Sequence, residues 1–321
     1  MEAIPITYQE ITDKLKIGNN PFALRVQTIL AIEKITNIPL VCYISKTSNI
    51  PKGVSVSIDE DDLVGFSDLI SGISGDQIDV FIISNGGSPE AAERLIKLLR
   101  NKYKQVRFIV TGNAYSAATM MCFAADGIIM HRQGTLGPID PQIGGIPAHA
   151  ILESFEEIEK RIKDEGPLSL TVYMPLLSKY DLHLLNLCRK AQALSIELAS
   201  QYLKQYMKIE NDDLIVDITK FFMDHETHKS HGRSIDRETA KGKGLKVIFS
   251  EDIGEKTEKS TYTFNDLLLS LFNQYQLFFT VSPLFYKLFE NAKGINWGRA
   301  VQPQQIQMAI PISNIPQFPK V

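Results

Sequence analysis

Short aliphatic segments alternate with amphipathic segments over residues 38–131, and this alternation limits the chain to a small set of folds. The segments 38–45, 77–84 and 106–112 are β-branched and apolar throughout, which is typical of strands buried on both faces of a mainly parallel sheet. Each is followed by a helical pattern. Strands and helices in alternation predict an α/β fold.

The segment 88–103 has the clearest helix start in the chain. Ser88 is a good capping residue, Pro89 suits the first helical position, and an acidic residue follows in the first turn. Further patterns predict helices over 116–126, 180–207, 212–223, 264–279 and 282–294, and strands over 127–131 and 245–250. We expect the two apolar C-terminal segments to pack on the core or on another subunit.

Composition and charge exclude several classes of protein. A length of 321 residues with 44% hydrophobic and 22% charged content predicts one large domain with appendages. The net charge of -3 provides no basic excess for a nucleic-acid partner. The N-terminus does not resemble a secretory signal, no segment is long and apolar enough for a membrane span, and membrane association is not indicated. Cys42, Cys122 and Cys188 lack metal or CxxC spacing, so we expect a cytoplasmic protein.

Two predicted strand-to-helix junctions carry residues suited to acyl transfer. Gly86 and Gly87 follow one strand, and such a turn presents backbone N–H groups without side chains in the way. Ser116 follows the next strand, with the N–H of Ala117 beside it. A hydroxyl nucleophile and two backbone donors are the minimum for acyl transfer. A serine that caps a helix and a glycine pair that forms a turn would show the same pattern.

The chain resembles the ClpP/crotonase-fold serine peptidases on three segments, ISNGGSPEAAERLIKLLR, VRFIVTGNAYSAATMMCFAADGIIMHRQGTLGPIDPQ and HGRSIDRETAKGKGLKV. Within that group it is most similar to the serine dehydrogenase proteinase family, a relative of signal peptide peptidase SppA. The resemblance implies repeated ββα units, Ser116 as nucleophile, and an oxyanion hole of Gly86 or Gly87 with Ala117. We expect a peptidase domain with an N-terminal arm over 1–255, and a helical C-terminal extension and tail over 256–321.

Two residues depart from the family pattern, and neither removes the nucleophile or a backbone donor. Asn85 stands where the family has proline, and Ala118 stands where it has glycine. The chain has no dinucleotide-binding GxGxxG turn and no lysine setting typical of pyridoxal phosphate, so the words "serine dehydrogenase" are not taken literally and no cofactor is expected.

The resemblance leaves the general base open. ClpP-like enzymes use a histidine at a position where this chain has Ile139 and Asp140, so we do not expect their triad. SppA-like enzymes use a lysine near the start of a later long helix, kept neutral by partial burial, and Lys179 matches it best. Lys190 and His149 are the alternative bases.

Three histidines, His225, His228 and His231, recur at intervals of three residues. This spacing suits either hydrogen-bonded packing or a zinc site, but the HExxH frame is absent and no metal is expected.

The function predicted is therefore that of an SppA-like serine endopeptidase with a Ser-Lys dyad. Its substrate would be a peptide or protein, and the resemblance implies a homo-oligomer. A crotonase-like acyl-CoA enzyme and a non-catalytic oligomeric scaffold of the same fold are the alternatives.

Overall fold

The computed structural model describes residues 3–18, 20–178, 180–254 and 262–301, without the side chain at position 226. The strands of this part of the chain are β1 (Leu40–Ser45), β2 (Gln77–Ser84), β3 (Gln105–Ala114), β4 (Gly127–Met130), β5 (Thr135–Leu136), β6 (Gln142–Ile143), β7 (Ile146–Pro147), β8 (Val247–Phe249), β9 (Phe285–Asn291) and β10 (Asn296–Ala300). The α-helices are α1 (Tyr8–Lys16), α2 (Pro21–Thr36), α3 (Asp62–Ser71), α4 (Pro89–Lys102), α5 (Ala117–Phe123), α6 (Ala148–Glu165), α7 (Leu170–Leu177), α8 (Leu182–Gln205), α9 (Asp212–Met223), α10 (His225–His228), α11 (Arg237–Gly242) and α12 (Phe264–Val281).

One mixed sheet organises the molecule, with strand order β10-β9-β1-β2-β3-β4-β8 and β5 added beside β3. The pairs β1–β2, β2–β3, β3–β4 and β4–β8 are parallel, whereas β9 runs antiparallel to both β1 and β10. A separate small ladder joins β6 to β7. The predicted α/β fold is confirmed.

Helices cover both faces of this sheet. Alternate residues of β1 point to opposite sides, so that Val41 and Tyr43 pack with helices α3, α4, α5, α8 and α9, whereas Cys42 and Ile44 pack with α2 and α12. Because both faces are buried, the strands are apolar throughout rather than alternating, which is the signal that the sequence carries.

Helix α4 begins as its sequence predicts. The Ser88 hydroxyl accepts a hydrogen bond from the Ala91 N–H at 3.0 Å, and Pro89 occupies the first helical position. Its buried face includes Leu95 and Leu99, which join the larger core. An N-cap of this kind contributes about 1 kcal/mol to helix stability, so Ser88→Ala would weaken the entry to α4.

The helix predicted over 282–294 is wrong, because Phe285–Asn291 forms strand β9 at the side of β1. Lys287 and Glu290 break the apolar pattern of this strand and are nevertheless fully buried. Lys287 Nζ lies 2.8 Å from a carboxylate oxygen of Asp62, and Arg25 donates two hydrogen bonds of 2.6 Å to Glu290. These ion pairs compensate for the cost of burying the charges.

Among the described residues of the C-terminal extension, only those of α12 are helical, and this helix packs on the sheet with the smaller core. The residues 302–321 of that extension lie outside the described residues, and the domain boundary near 255 stays a prediction. None of the helices in the described part of the chain combines the length and hydropathy that a bilayer crossing needs. The three cysteines are buried thiols without disulfides, and burial raises their pKa.

Candidate active site

Ser116 lies between the end of β3 and the start of α5 in an uncommon backbone conformation. Its φ is 52° and its ψ is -120°, a strained region for a residue with a side chain, which costs about 1–3 kcal/mol. A serine on a sharp, strained turn from strand to helix is how α/β-hydrolases expose their nucleophile. Although Ser116 occupies the capping position of α5, its side chain makes no capping hydrogen bond. Helix capping therefore does not explain the serine.

The Ser116 hydroxyl is not held by the surrounding structure. The residue is half-buried, and its oxygen makes no hydrogen bond with any residue in the described part of the chain. Thr119, one turn further along α5, differs in this respect, because its hydroxyl contacts the Ala114 carbonyl at 2.7 Å and the Gly137 carbonyl and N–H at 3.0 Å. The Thr119 hydroxyl therefore stabilises the fold through its hydrogen bonds, whereas the Ser116 hydroxyl does not.

The glycine turn after β2 lies directly against this serine. A Cβ built on Gly86 would meet the Tyr115 carbonyl oxygen at 2.5 Å, the Ser116 Cβ at 2.7 Å and the Ala117 nitrogen at 3.0 Å. Gly86 also has a φ of +93°, which residues with side chains rarely adopt. Only glycine permits this approach, which brings the turn and Ser116 together.

Gly87 is fixed from its other side by a one-residue bridge to Ile58. The Ile58 N–H donates to the Gly86 carbonyl at 2.8 Å, and the Ser88 N–H donates to the Ile58 carbonyl at 2.9 Å. In a parallel bridge of this type the N–H of the middle residue, Gly87, points away from the partner strand. Among the described residues, neither this N–H nor that of Ala117 has an acceptor. Two unused backbone donors therefore flank the Ser116 turn.

Polar side chains brace the rim of the turn. The Ser84 hydroxyl accepts a hydrogen bond from the Gly86 N–H at 3.1 Å. The Asn85 carbonyl oxygen accepts from Asn113 at 3.2 Å, and its amide donates to the Thr47 carbonyl at 3.4 Å. Hydrogen bonds thus hold Asn85 in the turn, whereas a proline at this position would restrict the backbone through its ring.

The structure positions only some of the predicted bases. Lys179 lies outside the described residues. Lys190 is exposed on α8, and His149 is half-buried in the first turn of α6. Neither Lys190 nor His149 makes a hydrogen bond with the Ser116 hydroxyl among the described residues. The roles given to these three residues stay predictions.

Of the three histidines at positions 225, 228 and 231, the first and the last face Asp140, whereas His228 does not. His228 Nε2 lies 2.7 Å from the Phe221 carbonyl, a hydrogen bond that turns the ring into the protein. His231 Nδ1 lies 2.7 Å from an oxygen of buried Asp140, and His225 stacks with His149 at 4.4 Å between ring centroids. Spacing along the chain gave no signal for the contact between positions 149 and 225, which are brought together by the fold.

The model of the ClpP-like SDH-type serine proteinase family matches residues 60–190. This match confirms the resemblance found in the sequence, and it supports a serine peptidase at the level of the family. The matched segment includes both strand-to-helix junctions of the candidate site.

Two curated proteins of Methanocaldococcus jannaschii, both named as uncharacterized, are similar to shorter parts of the chain. One is 35% identical over 88 residues, which are 27% of this chain and 30% of the relative. The other is 40% identical over 80 residues, which are 25% of this chain and 28% of the relative. The chain thus matches less than a third of the length of either relative.

Proposed function

We propose that this chain is an SppA-like serine endopeptidase in which Ser116 is the nucleophile and Lys179 the general base. The observation that carries the proposal is the contact of Gly86 with Ser116 and Ala117, which places a hydroxyl next to backbone donors, all of them unpaired among the described residues. The family match over residues 60–190 supports the same chemistry.

The reaction follows from this arrangement. Ser116 Oγ attacks the carbonyl carbon of the substrate peptide while its proton passes to the base. The N–H groups of Gly87 and Ala117 donate to the oxyanion that forms. Collapse of the tetrahedral intermediate breaks the C–N bond, the base returns the proton to the leaving amine, and water then hydrolyses the acyl-enzyme. One oxyanion donor typically contributes about 10²–10³-fold in rate.

Lys179 is the preferred base because of where it occurs in the sequence and what its rivals contact. It precedes α8, at the place where SppA-like enzymes carry their lysine. Lys190 is exposed on α8, whereas a lysine that serves as a base is usually partly buried. His149 is stacked on His225, which occupies one face of its ring.

The nucleophile is tested by labelling with a fluorophosphonate probe. We expect the wild type and a Ser154→Ala control to label at one site, since Ser154 is exposed on α6 and its hydroxyl contacts only the Ala150 carbonyl. Ser116→Ala should lose the label, and hydrolysis of fluorescent casein should fall by about 10⁴-fold or more, with an unchanged circular dichroism spectrum.

Other labelling results would contradict the assignment. Equal labelling of wild type and Ser116→Ala would exclude Ser116 as nucleophile. An unlabelled wild type that retains bound coenzyme A would favour the acyl-CoA enzyme, and one that forms a ring without label or ligand would favour the scaffold.

The base is tested by comparing Lys179→Met with Lys190→Met. We expect casein hydrolysis to fall by about 10²–10⁴-fold for the first variant, because the serine loses its proton acceptor, and to change less than twofold for the second. Full activity of Lys179→Met together with an inactive His149→Ala would assign the base to the histidine instead.

We also propose that the protein forms a cytoplasmic homo-oligomer. Support comes from exposed apolar side chains on α7 and its flanks, since groups of such side chains often mark contacts between proteins. They are Leu168, Leu170, Val172, Met174, Leu176 and Leu182, with Leu168 89% exposed. Light scattering after gel filtration tests the assembly, and a monomer at micromolar concentration would contradict it.

A further inference from the structure

Two neighbouring segments and a third that follows much later in the sequence bring potential metal ligands to one place. Asp140 lies in the loop between β5 and β6, His149 in the first turn of α6, and His225 at the start of α10. One ligand atom from each residue lies within 4.8 Å of the other two. The cluster includes one member of the histidine trio suggested by spacing, His225, whereas His228 is engaged elsewhere.

The ring nitrogens of this cluster lack the partners that buried polar atoms normally have. Nδ1 and Nε2 of His149 and Nδ1 of His225 are buried, and within the described part of the chain none of them makes a hydrogen bond. An unsatisfied buried polar atom costs about 1–3 kcal/mol. Two adjacent imidazoles have nitrogens without hydrogen bonds, and they lie next to a carboxylate that is 2% exposed. Together these groups offer electron pairs that a metal ion could accept.

The spacing between the ligand atoms suits a metal better than a direct contact. His225 Nδ1 and Asp140 Oδ2 are 3.6 Å apart, which is too long for a hydrogen bond. Two ligands on a tetrahedral zinc ion with bonds of 2.0–2.1 Å are about 3.3 Å apart. The three ligand atoms lie within 4.8 Å of one another, so the cluster contracts toward about 3.3 Å when it holds an ion.

Neighbouring side chains already orient the carboxylate. His231 Nδ1 lies 2.7 Å from Asp140 Oδ1, and Gln142 donates to Asp140 Oδ2 at 2.9 Å. Outer partners of this kind fix the ligand orientation in metal sites.

We propose that Asp140, His149 and His225 bind one divalent transition-metal ion of the zinc class. Two imidazoles with one carboxylate favour zinc and its neighbours over magnesium or calcium, which prefer oxygen ligands. Three protein ligands leave a fourth coordination position for water. The ion joins the loop around Asp140 to α6 and α10, and that loop is tied to α5 through the hydrogen bonds between Gly137 and Thr119.

The site is tested with the full-length chain after removal of metals by a chelator. Calorimetric titration with zinc chloride should give one site per chain, and cobalt chloride should give visible absorption bands of a four-coordinate ion. His149→Ala and His225→Ala should each weaken zinc binding by at least about tenfold. His183→Ala, which removes an exposed histidine on α8, should bind zinc as the wild type does.

The melting temperature provides a second measurement. Zinc should raise that of the wild type and of His183→Ala, but not that of His225→Ala. Absence of saturable zinc and cobalt binding by the wild type, or equal affinity in all the variants, would overturn the proposal. His149→Gln replaces His149→Ala should the smaller side chain impair folding. Because binding is measured without turnover, an inactive protein that binds zinc would contradict the proposed function and leave the metal site intact.

Discussion

The junction at Ser116 and the cluster at Asp140 lie near one another in the chain but are built from different groups. The junction is formed by backbone: a glycine Cα against a serine, and two N–H donors. The cluster is formed by side chains from three separate segments. Adding one methyl group should therefore destroy the first, whereas only the removal of a ring or a carboxylate should destroy the second.

Among the substitutions that compare these two regions, Gly86→Ala should have the largest effect. Its Cβ would lie 2.5 Å from the Tyr115 carbonyl oxygen and 2.7 Å from the Ser116 Cβ, so the turn or the serine must move. We expect casein hydrolysis and fluorophosphonate labelling to slow by about 10³-fold or more, since a misplaced donor and nucleophile both act on the transition state. Zinc binding should be unchanged.

Gly75→Ala is the matched control for this substitution. Gly75 has a φ of +108° but nothing within 4 Å of its added Cβ, so it tests backbone strain without a steric clash. It should lose about 1 kcal/mol of stability and keep its labelling rate. Equal loss of activity in both variants would show that strain, and not contact with Ser116, governs the effect.

An intermediate effect should come from Thr119→Val, which cuts the connection between the two regions. Valine keeps the shape of the side chain but removes the hydrogen bonds to Ala114 and Gly137. The buried Gly137 N–H then loses the hydroxyl that accepts its hydrogen bond. We expect the free energy of unfolding to fall by about 1–3 kcal/mol in urea titrations. We also expect labelling at Ser116 and zinc affinity to fall together. A change in only one of them would show that the regions are independent.

The smallest effect should come from substitution of Glu251. It shows how much of any loss of function at low pH is due to loss of stability. Burial raises the pKa of Glu251, but hydrogen bonds from Arg237 and Arg132, among others, outweigh it and lower that pKa to about 2. Its stabilising contribution is therefore present above about pH 4.5 and is lost as the pH falls toward 2. Glu251 is itself 31% exposed, so solvent screens its ion pairs with Arg237 and Arg132, and the contribution is about 1 kcal/mol or less.

We expect Glu251→Gln to melt slightly below the wild type at pH 7, and the difference to disappear near pH 2. Melting temperatures of both proteins, recorded at several pH values from 2 to 7, measure this difference. A constant difference over the whole range would contradict the assignment. A loss of labelling at a pH where the melting temperature is steady belongs to the catalytic base and not to the fold.

The sequence predicted the strands and helices around Ser116 because their signals are local. Ser88 and Pro89 define a helix start, and the apolar strands on either side are continuous over seven or eight residues. The strained φ of Ser116 and the close approach of Gly86 were not visible, since both depend on how two neighbouring strands end.

Strand β9 could not be predicted by the same means. Lys287 and Glu290 suggest the polar face of a helix, and only partners that are 225 and 265 residues away in sequence make their burial in a strand favourable. The Asp140 cluster was missed for a related reason. His225 was grouped with the histidines three and six residues later, while its contacts lie at positions 140 and 149.

The pairing of β9 with β1 has a consequence for biosynthesis. Asp62 and Arg25 are buried in the finished sheet beside Lys287 and Glu290, which the ribosome adds more than 200 residues later. Until those two residues are synthesised, the nascent chain carries two charged side chains whose ion-pair partners are still missing. Completion of the sheet is thus a late event in translation, and a premature stop codon before position 285 would yield a chain that quality-control proteases should remove.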